Sequence, residues 1–138
     1  MSFFGPPDIA RLESKQDIRG LVRALENLQT RRAAAEALIR CGPGAVRALM
    51  DVFKRNPGEI PVALVGAIKQ VIHAIGRPGV PILIEALKDN HPEVRIMAVS
   101  FLGESCDPRA IQPVNAMLTD RNALVRQEAD HALRKLKH

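Results

Sequence analysis

Residues 89–118, DNHPEVRIMAVSFLGESCDPRAIQPVNAML, are echoed 31 positions later by residues 120–136, DRNALVRQEADHALRKL. At this offset Asp89 meets Asp120, Val94 meets Val125, Arg95 meets Arg126, Ala98 meets Ala129 and Leu102 meets Leu133. The shared Val, Ala and Leu fall four residues apart, the interval that keeps side chains on one face of a helix. One helix face is being repeated.

The same register extends towards the N-terminus. Val80, Leu83 and Leu87 align with Ile111, Val114 and Leu118, and a step of 34 back from them reaches Val46, Leu49 and Phe53. A first-helix column then reads Leu38, Ile72, Leu102, Leu133, and a small-residue column reads Ala34, Ile68, Ala98, Ala129. A period of 30–34 residues with two short helices per unit indicates units that stack, because neither helix pair can bury its apolar positions alone. The expected units are 27–55, 56–88 and 89–119. Half-units at 8–26 and 120–138 flank them, within one domain spanning 1–138. Ile68 interrupts the small column, so the second unit is expected to splay or twist against its neighbours.

Turn residues support these cuts. Gly42-Pro43-Gly44, Arg77-Pro78-Gly79 and Asp107-Pro108 sit between paired helices, where Pro can begin a helix without losing an intrahelical bond. Asn56-Pro57-Gly58 and Asn90-His91-Pro92 separate units. Helices are expected at 8–14, 17–26, 29–41, 44–55, 60–75, 78–88, 92–104, 108–118 and 122–137, and no stretch alternates with the period of a strand. Val80, Leu83, Ile84 and Leu87 should face inward, with Leu64, Ile68 and Ile72. The fold class is all-α.

Composition narrows the possible functions. The 138 residues are 46% apolar, enough aliphatic surface to exclude a disordered polymer. The longest run without a charge is the ten residues Ala110–Thr119, too short to span a bilayer. The N-terminal residues have neither a basic start nor an apolar core of leader length, so no secretory leader is expected. With only Cys41 and Cys106, reduced thiols and a cytoplasmic location follow as expectations. The net charge of +5 raises nucleic acid as a partner, although Tyr and Trp, which stack on bases, are absent.

The pattern D-x-x-x-x-V-R-x-x-A-x-x-x-L-G followed by D-P-x-A-I-x-P-V is carried by Asp89, Val94, Arg95, Ala98, Leu102, Gly103, Asp107, Pro108, Ala110, Ile111, Pro113 and Val114. It resembles HEAT repeats, particularly the short type named after phycobilisome lyases. The likeness is closest over 89–138, weaker over 26–55 and weakest over 56–88, where Val65 replaces the Arg of the other units. The resemblance implies a right-handed α-solenoid of about four two-helix repeats, with second helices on the concave side. It implies binding and no particular reaction. Bilin lyases of this type are usually longer and act in pairs, so a subunit related to them is a lesser alternative.

Arg31, Arg95 and Arg126 form a column, and Asp89 and Asp120 precede two of them by six residues. They are expected to join successive units as an Arg-to-Asp ladder of charge-assisted hydrogen bonds; the alternative is a phosphate-binding stripe. Flanking the apolar face of the second helices are Arg19, Arg23, Arg47, Asp51, Lys54, Glu85, Lys88, Gln112 and Thr119, with Ile82 either an apolar anchor or, the favoured reading, packed against its neighbour. These residues are the candidate partner-binding surface. The fifth helix is apolar nearly all round, and its Val62 and Val65 should point outward, where they could engage a second copy; Phe3 and Phe4 are expected to cap the first helices, with engagement of a second copy as the alternative.

Catalytic groupings are not found. His73, His91, His131 and His138 have no His or Cys three or four residues on, and neither HExxH, CxxC nor a Gly-rich phosphate loop occurs. Cys106 lies beside Asp107, whose carboxylate disfavours a thiolate. The expectation is therefore a non-enzymatic scaffold without cofactor or metal, binding a protein through its concave face. Nucleic-acid binding by the basic groove is the alternative.

Overall fold

Short polar side chains fix where several helices begin. Asp8, Asp17 and Asn122 accept the N–H groups of Arg11, Gly20 and Leu124 at 3.2, 2.9 and 2.8 Å, pairing donors that the first helical turn would leave unsatisfied. The computed structural model describes residues 6–138; Phe3 and Phe4 lie outside the described residues. Within them run α1 (Ile9–Ser14), α2 (Ile18–Ala24), α3 (Arg31–Cys41), α4 (Val46–Asp51), α5 (Val62–Ile75), α6 (Val80–Ala86), α7 (Pro92–Glu104), α8 (Ile111–Ala116) and α9 (Ala123–Leu136). The described residues contain no strand.

The second helices are shorter than the sequence suggests. α4, α6 and α8 open on a 3₁₀ turn, Gly42–Ala45, Arg77–Gly79 and Pro108–Ala110 respectively, and α4 and α8 also close on one. Proline at the start of each turn supplies a fixed φ and no N–H, which suits a tight opening turn. The helix expected from residue 60 starts at Val62, and a 3₁₀ turn, Pro57–Glu59, precedes it. That turn absorbs the extra residues of the 34-residue spacing.

Three first helices, α3, α5 and α7, are followed by a residue with positive φ. Gly42 after α3 and Gly76 after α5 both have φ of 71°, and Cys106, two residues after α7, takes φ of 56°. Glycine adopts this region freely, whereas a side chain costs roughly 1–2 kcal/mol there. Against glycine's greater loss of chain entropy, Cys106→Gly should raise stability by about 0.5–1 kcal/mol. An unchanged or lower urea midpoint would contradict this.

Two layers result. α3, α5, α7 and α9 follow one another in the first; α2, α4 and α6 follow in the second, where α6 meets the turn leading into α8. Between them lies one continuous aliphatic core, with Leu21, Leu25, Leu38, Leu49, Leu64, Ile68 and Leu102 fully buried. Val80, Leu83, Leu87 and Ile72 join it, while Ile84 is half-buried. The molecule is an α-solenoid. The outer face of α9 carries exposed Arg126, Gln127, Asp130 and Arg134, so the last helix presents polar groups beyond its buried Val125, Ala129 and Leu133.

The seams within the first layer are unequal. α7 and α9 run closest together, α3 and α5 less so, and α5 and α7 touch least. The register explains the order. At the α7/α9 seam Gly103 faces Ala132 so tightly that a Cβ on Gly103 would lie 2.7 Å from that of Ala132. The corresponding pair is Ile39 and Val71 at α3/α5, and His73 and Phe101 at α5/α7. Phe101 is buried and set against Phe53, with ring centroids 6.2 Å apart at 53°. Larger side chains prop the helices apart, as the Ile68 irregularity suggested.

Candidate binding face

The second-helix layer carries the candidate residues. Arg19 and Arg23 project from α2 and Arg47 from α4, all exposed. Asp51 ends α4 half-buried, and Lys54 pairs with it at 3.0 Å. Glu85 on α6, Lys88 just after it and Gln112 on α8 are exposed. Ile82 is half-buried and packs against the core, so it is not the open anchor that the sequence allowed. Arg19, Arg23 and Asp51 converge on one depression of about 280 Å³, together with Arg55, over the apolar floor of Val22, Ala48 and Val52. Arg47, Ile82, Glu85, Lys88 and Gln112 lie away from it.

Arg55 is the residue that sequence reading passed over. Its guanidinium grips Glu26 bidentately at 2.7 and 3.1 Å, tying the end of the α4 segment to the end of α2. Arg40 does the same to Glu13, at 2.7 Å on both oxygens. These pairs link residues 29 and 27 apart, close to one repeat, and opposite charges at that spacing were the available signal. They leave Arg19, Arg23 and Arg47 as exposed guanidinium groups with no carboxylate within 4 Å among the described residues.

The arginine column acts chiefly on backbone. Arg31 Nε, Arg95 Nη1 and Arg126 Nη1 donate to the carbonyl six residues earlier, those of Leu25, Asp89 and Asp120, at 2.7, 2.9 and 2.7 Å. Each strap fastens the close of one second helix to the first helix that follows. Arg95 alone also reaches forward to a carboxylate: its Nε and Nη2 donate to Asp120 at 3.0 and 3.1 Å. In the two cases where an Asp stands six positions earlier, Arg95 and Arg126 thus meet its carbonyl and not the carboxylate that the ladder called for. Asp89 and Asp120 turn their carboxylates to the N–H groups of His91 and Asn122, at 2.9 and 2.8 Å, which shapes the turn into the next helix. With Val65 in place of an Arg, Asp89 has only Lys54 at 3.8 Å and the His91 ring at 2.9 Å. The ladder therefore has one complete rung.

Three acids in these turns are held ionised. Asp107 takes the Arg109 guanidinium and the Arg109 N–H, and together these bring its carboxyl down to about 2 against the opposing effect of burial. Burial pushes Asp120 up, but the Arg95 side chain and the Asn122 N–H outweigh it and the net shift is downward. Asp89 is likewise lowered on balance, burial being outweighed by the His91 N–H, the His91 ring and Lys54. A carboxyl with a lower pKa folded than unfolded binds more protons when unfolded, so its stabilisation is full above the unfolded value and is lost as pH falls. The guanidinium midpoint should fall as pH drops from about 5 towards about 2, less steeply in Asp107→Asn. A flat profile for the parent chain would refute the assignment.

Elsewhere among the described residues the large exposed apolar groups are Leu28, Val62 and Leu124; Val62, 88% exposed, points outward as expected. Val65 is half-buried and packs on the core, because the 3₁₀ turn before α5 places Ile60 and Pro57 beside it. Among the described residues no cluster of three or more His, Cys, Asp or Glu could hold a metal ion, and no helix is long and apolar enough to cross a membrane. Residues 46–134 match the family described as HEAT repeats, a stretch that includes the atypical second pair as well as the regular third. Among curated proteins none is significantly similar in sequence.

Proposed function

Because the chain belongs to the HEAT-repeat family, we propose that it is a scaffold module whose second-helix, concave face holds an acidic segment of a protein partner. Members of this family generally mediate protein interactions and are typically non-catalytic scaffolds. The observation that carries the finer reading is the set of unpaired guanidinium groups at Arg19, Arg23 and Arg47. Neighbouring Lys54 and Arg55 are already neutralised by Asp51 and Glu26, so they hold the fold rather than a ligand. Towards α8 the face becomes uncharged through Gln112 and Thr119, which orients an acidic partner with its charge at the α2 end.

Exposed charges of this kind steer encounter and fix register more than they add affinity. Replacing all three by Glu reverses the sign of the α2 end without touching a buried group. In affinity capture with mass spectrometry on nuclease-treated lysate, the partner retained by the parent chain should be depleted by about tenfold or more in the triple variant. Equal retention would reject this face. Loss of the partner on nuclease treatment alone would replace the protein reading with nucleic-acid binding.

A further inference from the structure

The propped seam between α5 and α7 opens at its C-terminal end into a cavity of about 130 Å³. Its floor is buried Ile72, Val80, Leu83 and Phe101. An apolar cavity of roughly 150 Å³ admits one benzene ring, so this one suits a single aromatic side chain. The lip is different in character: Lys69, His73 and Arg77 follow one another along the end of α5 and the turn after it.

The repeat supplies its own control. One unit earlier, the three lip positions are Ala35, Ile39 and Pro43; one unit later they are Val99, Gly103 and Asp107. The position of Phe101 is Ala37, Val71 and Ala132 in the other first helices. The HEAT architecture thus requires neither the prop nor the basic lip, and both occur at the same seam. Glu104 is shared by Lys69 at 3.0 Å and Lys135 at 3.7 Å, and the Arg77 guanidinium has no carboxylate within 4 Å among the described residues. Arg109 Nη2 donates to the Arg77 carbonyl at 3.2 Å, which holds the turn in place. Two helix C-termini end here, each adding about half a negative charge. The full cations Lys69, Arg77 and Lys135 stand against Glu104 and these two termini, which leaves a net charge of about +1 at the lip.

The geometry points to a second binding site, distinct from the second-helix face, that seats one aromatic side chain of an acidic peptide segment while flanking carboxylates meet Lys69 and Arg77. A peptide fits better than a free small acid. Lys69 and His73 alone are separated by about 6 Å along the helix, with Arg77 beyond them, more than one carboxylate on a ring in the cavity can bridge.

The test is a titration of the ¹⁵N-labelled full chain with the peptide acetyl-Glu-Asp-Phe-Asp-Glu-amide, followed by amide chemical shifts. Shifts should concentrate on residues 69–77 and 101–105. Affinity should fall about fivefold or more in Arg77→Glu and in Lys69→Glu, both exposed positions, with helical circular dichroism unchanged. A peptide with Ala at its centre should bind more weakly than the parent. Glu104→Gln, which removes the one acid of the lip, should tighten binding by about two- to fivefold. The proposal is overturned by an absence of shifts at millimolar peptide, or by shifts confined to α2 and α4. Equal binding of phenylacetate, or of a thymidine pentanucleotide, would also overturn it. None of these outcomes bears on Arg19, Arg23 and Arg47, so the second-helix reading stands or falls separately.

Discussion

Arg95→Met should destabilise the fold by about 3–5 kcal/mol, because it strands a nearly buried carboxylate without its counter-ion. Arg95 is 4% exposed, and its guanidinium serves four oxygens: both of Asp120 and the carbonyls of Asp89 and Asn90, the last at 3.2 Å. Removing it leaves a nearly buried carboxylate without its counter-ion and two turn carbonyls without a donor. The pair itself is not a large net gain, since both ions were taken out of water to make it. Arg95→Met combined with Asp120→Asn should therefore be less damaging than Arg95→Met alone. Asn keeps an acceptor for the Asn122 N–H while shedding the charge. A double-mutant cycle from urea midpoints reads the coupling. A single-variant cost below about 1 kcal/mol would mean that Arg95 is an ordinary surface residue.

The part of this molecule legible from its amino acids is the part that burial dictates. Val94, Ala98 and Leu102 recur at helical spacing because one face of every first helix must meet the core, and the same need produces the columns in the other units. Prolines and glycines marked the cuts because 3₁₀ openings and left-handed ends admit few residues; Cys106 escaped because it takes that conformation without being glycine. The splay at α5 could be anticipated from Ile68. Its cause could not, since the pairing of His73 with Phe101 appears only when the Gly103–Ala132 contact is seen in space. Charge was less legible than apolarity. Arg95 and Asp120 are 25 residues apart, and nothing in a one-dimensional pattern distinguishes a carboxylate that reaches back to an earlier unit from one that caps its own turn. Asp120 does both. On the candidate face, exposure of Arg19, Arg23 and Arg47 followed from their positions on α2 and α4. The meeting of Arg19, Arg23 and Asp51 with Arg55 depends on how α2 lies against α4, which sequence spacing does not specify.

Leu102→Ala is the companion test, aimed at stacking instead of polar strapping. Leu102 is fully buried on α7, a helix that packs on α6, α8 and most closely on α9. Truncation removes its transfer free energy and leaves a cavity that can relax only if a neighbouring helix moves, so the loss should be about 2–5 kcal/mol. Collapse is most restricted at this seam, where Gly103 and Ala132 are already in contact. Leu133 holds the same column position on α9 but retains 6% exposure. In a stack where each unit contacts only its neighbours, an interior position feeds two interfaces and a terminal one feeds a single interface. Leu133→Ala should therefore cost less than Leu102→Ala, about 2 kcal/mol. Guanidinium titrations of the two variants, compared at equal m-value, measure the difference directly. Equal losses would show that α9 is as deeply embedded as α7 and that the column is not one-dimensional. A larger loss at Leu133 would reverse the assignment of interior and end.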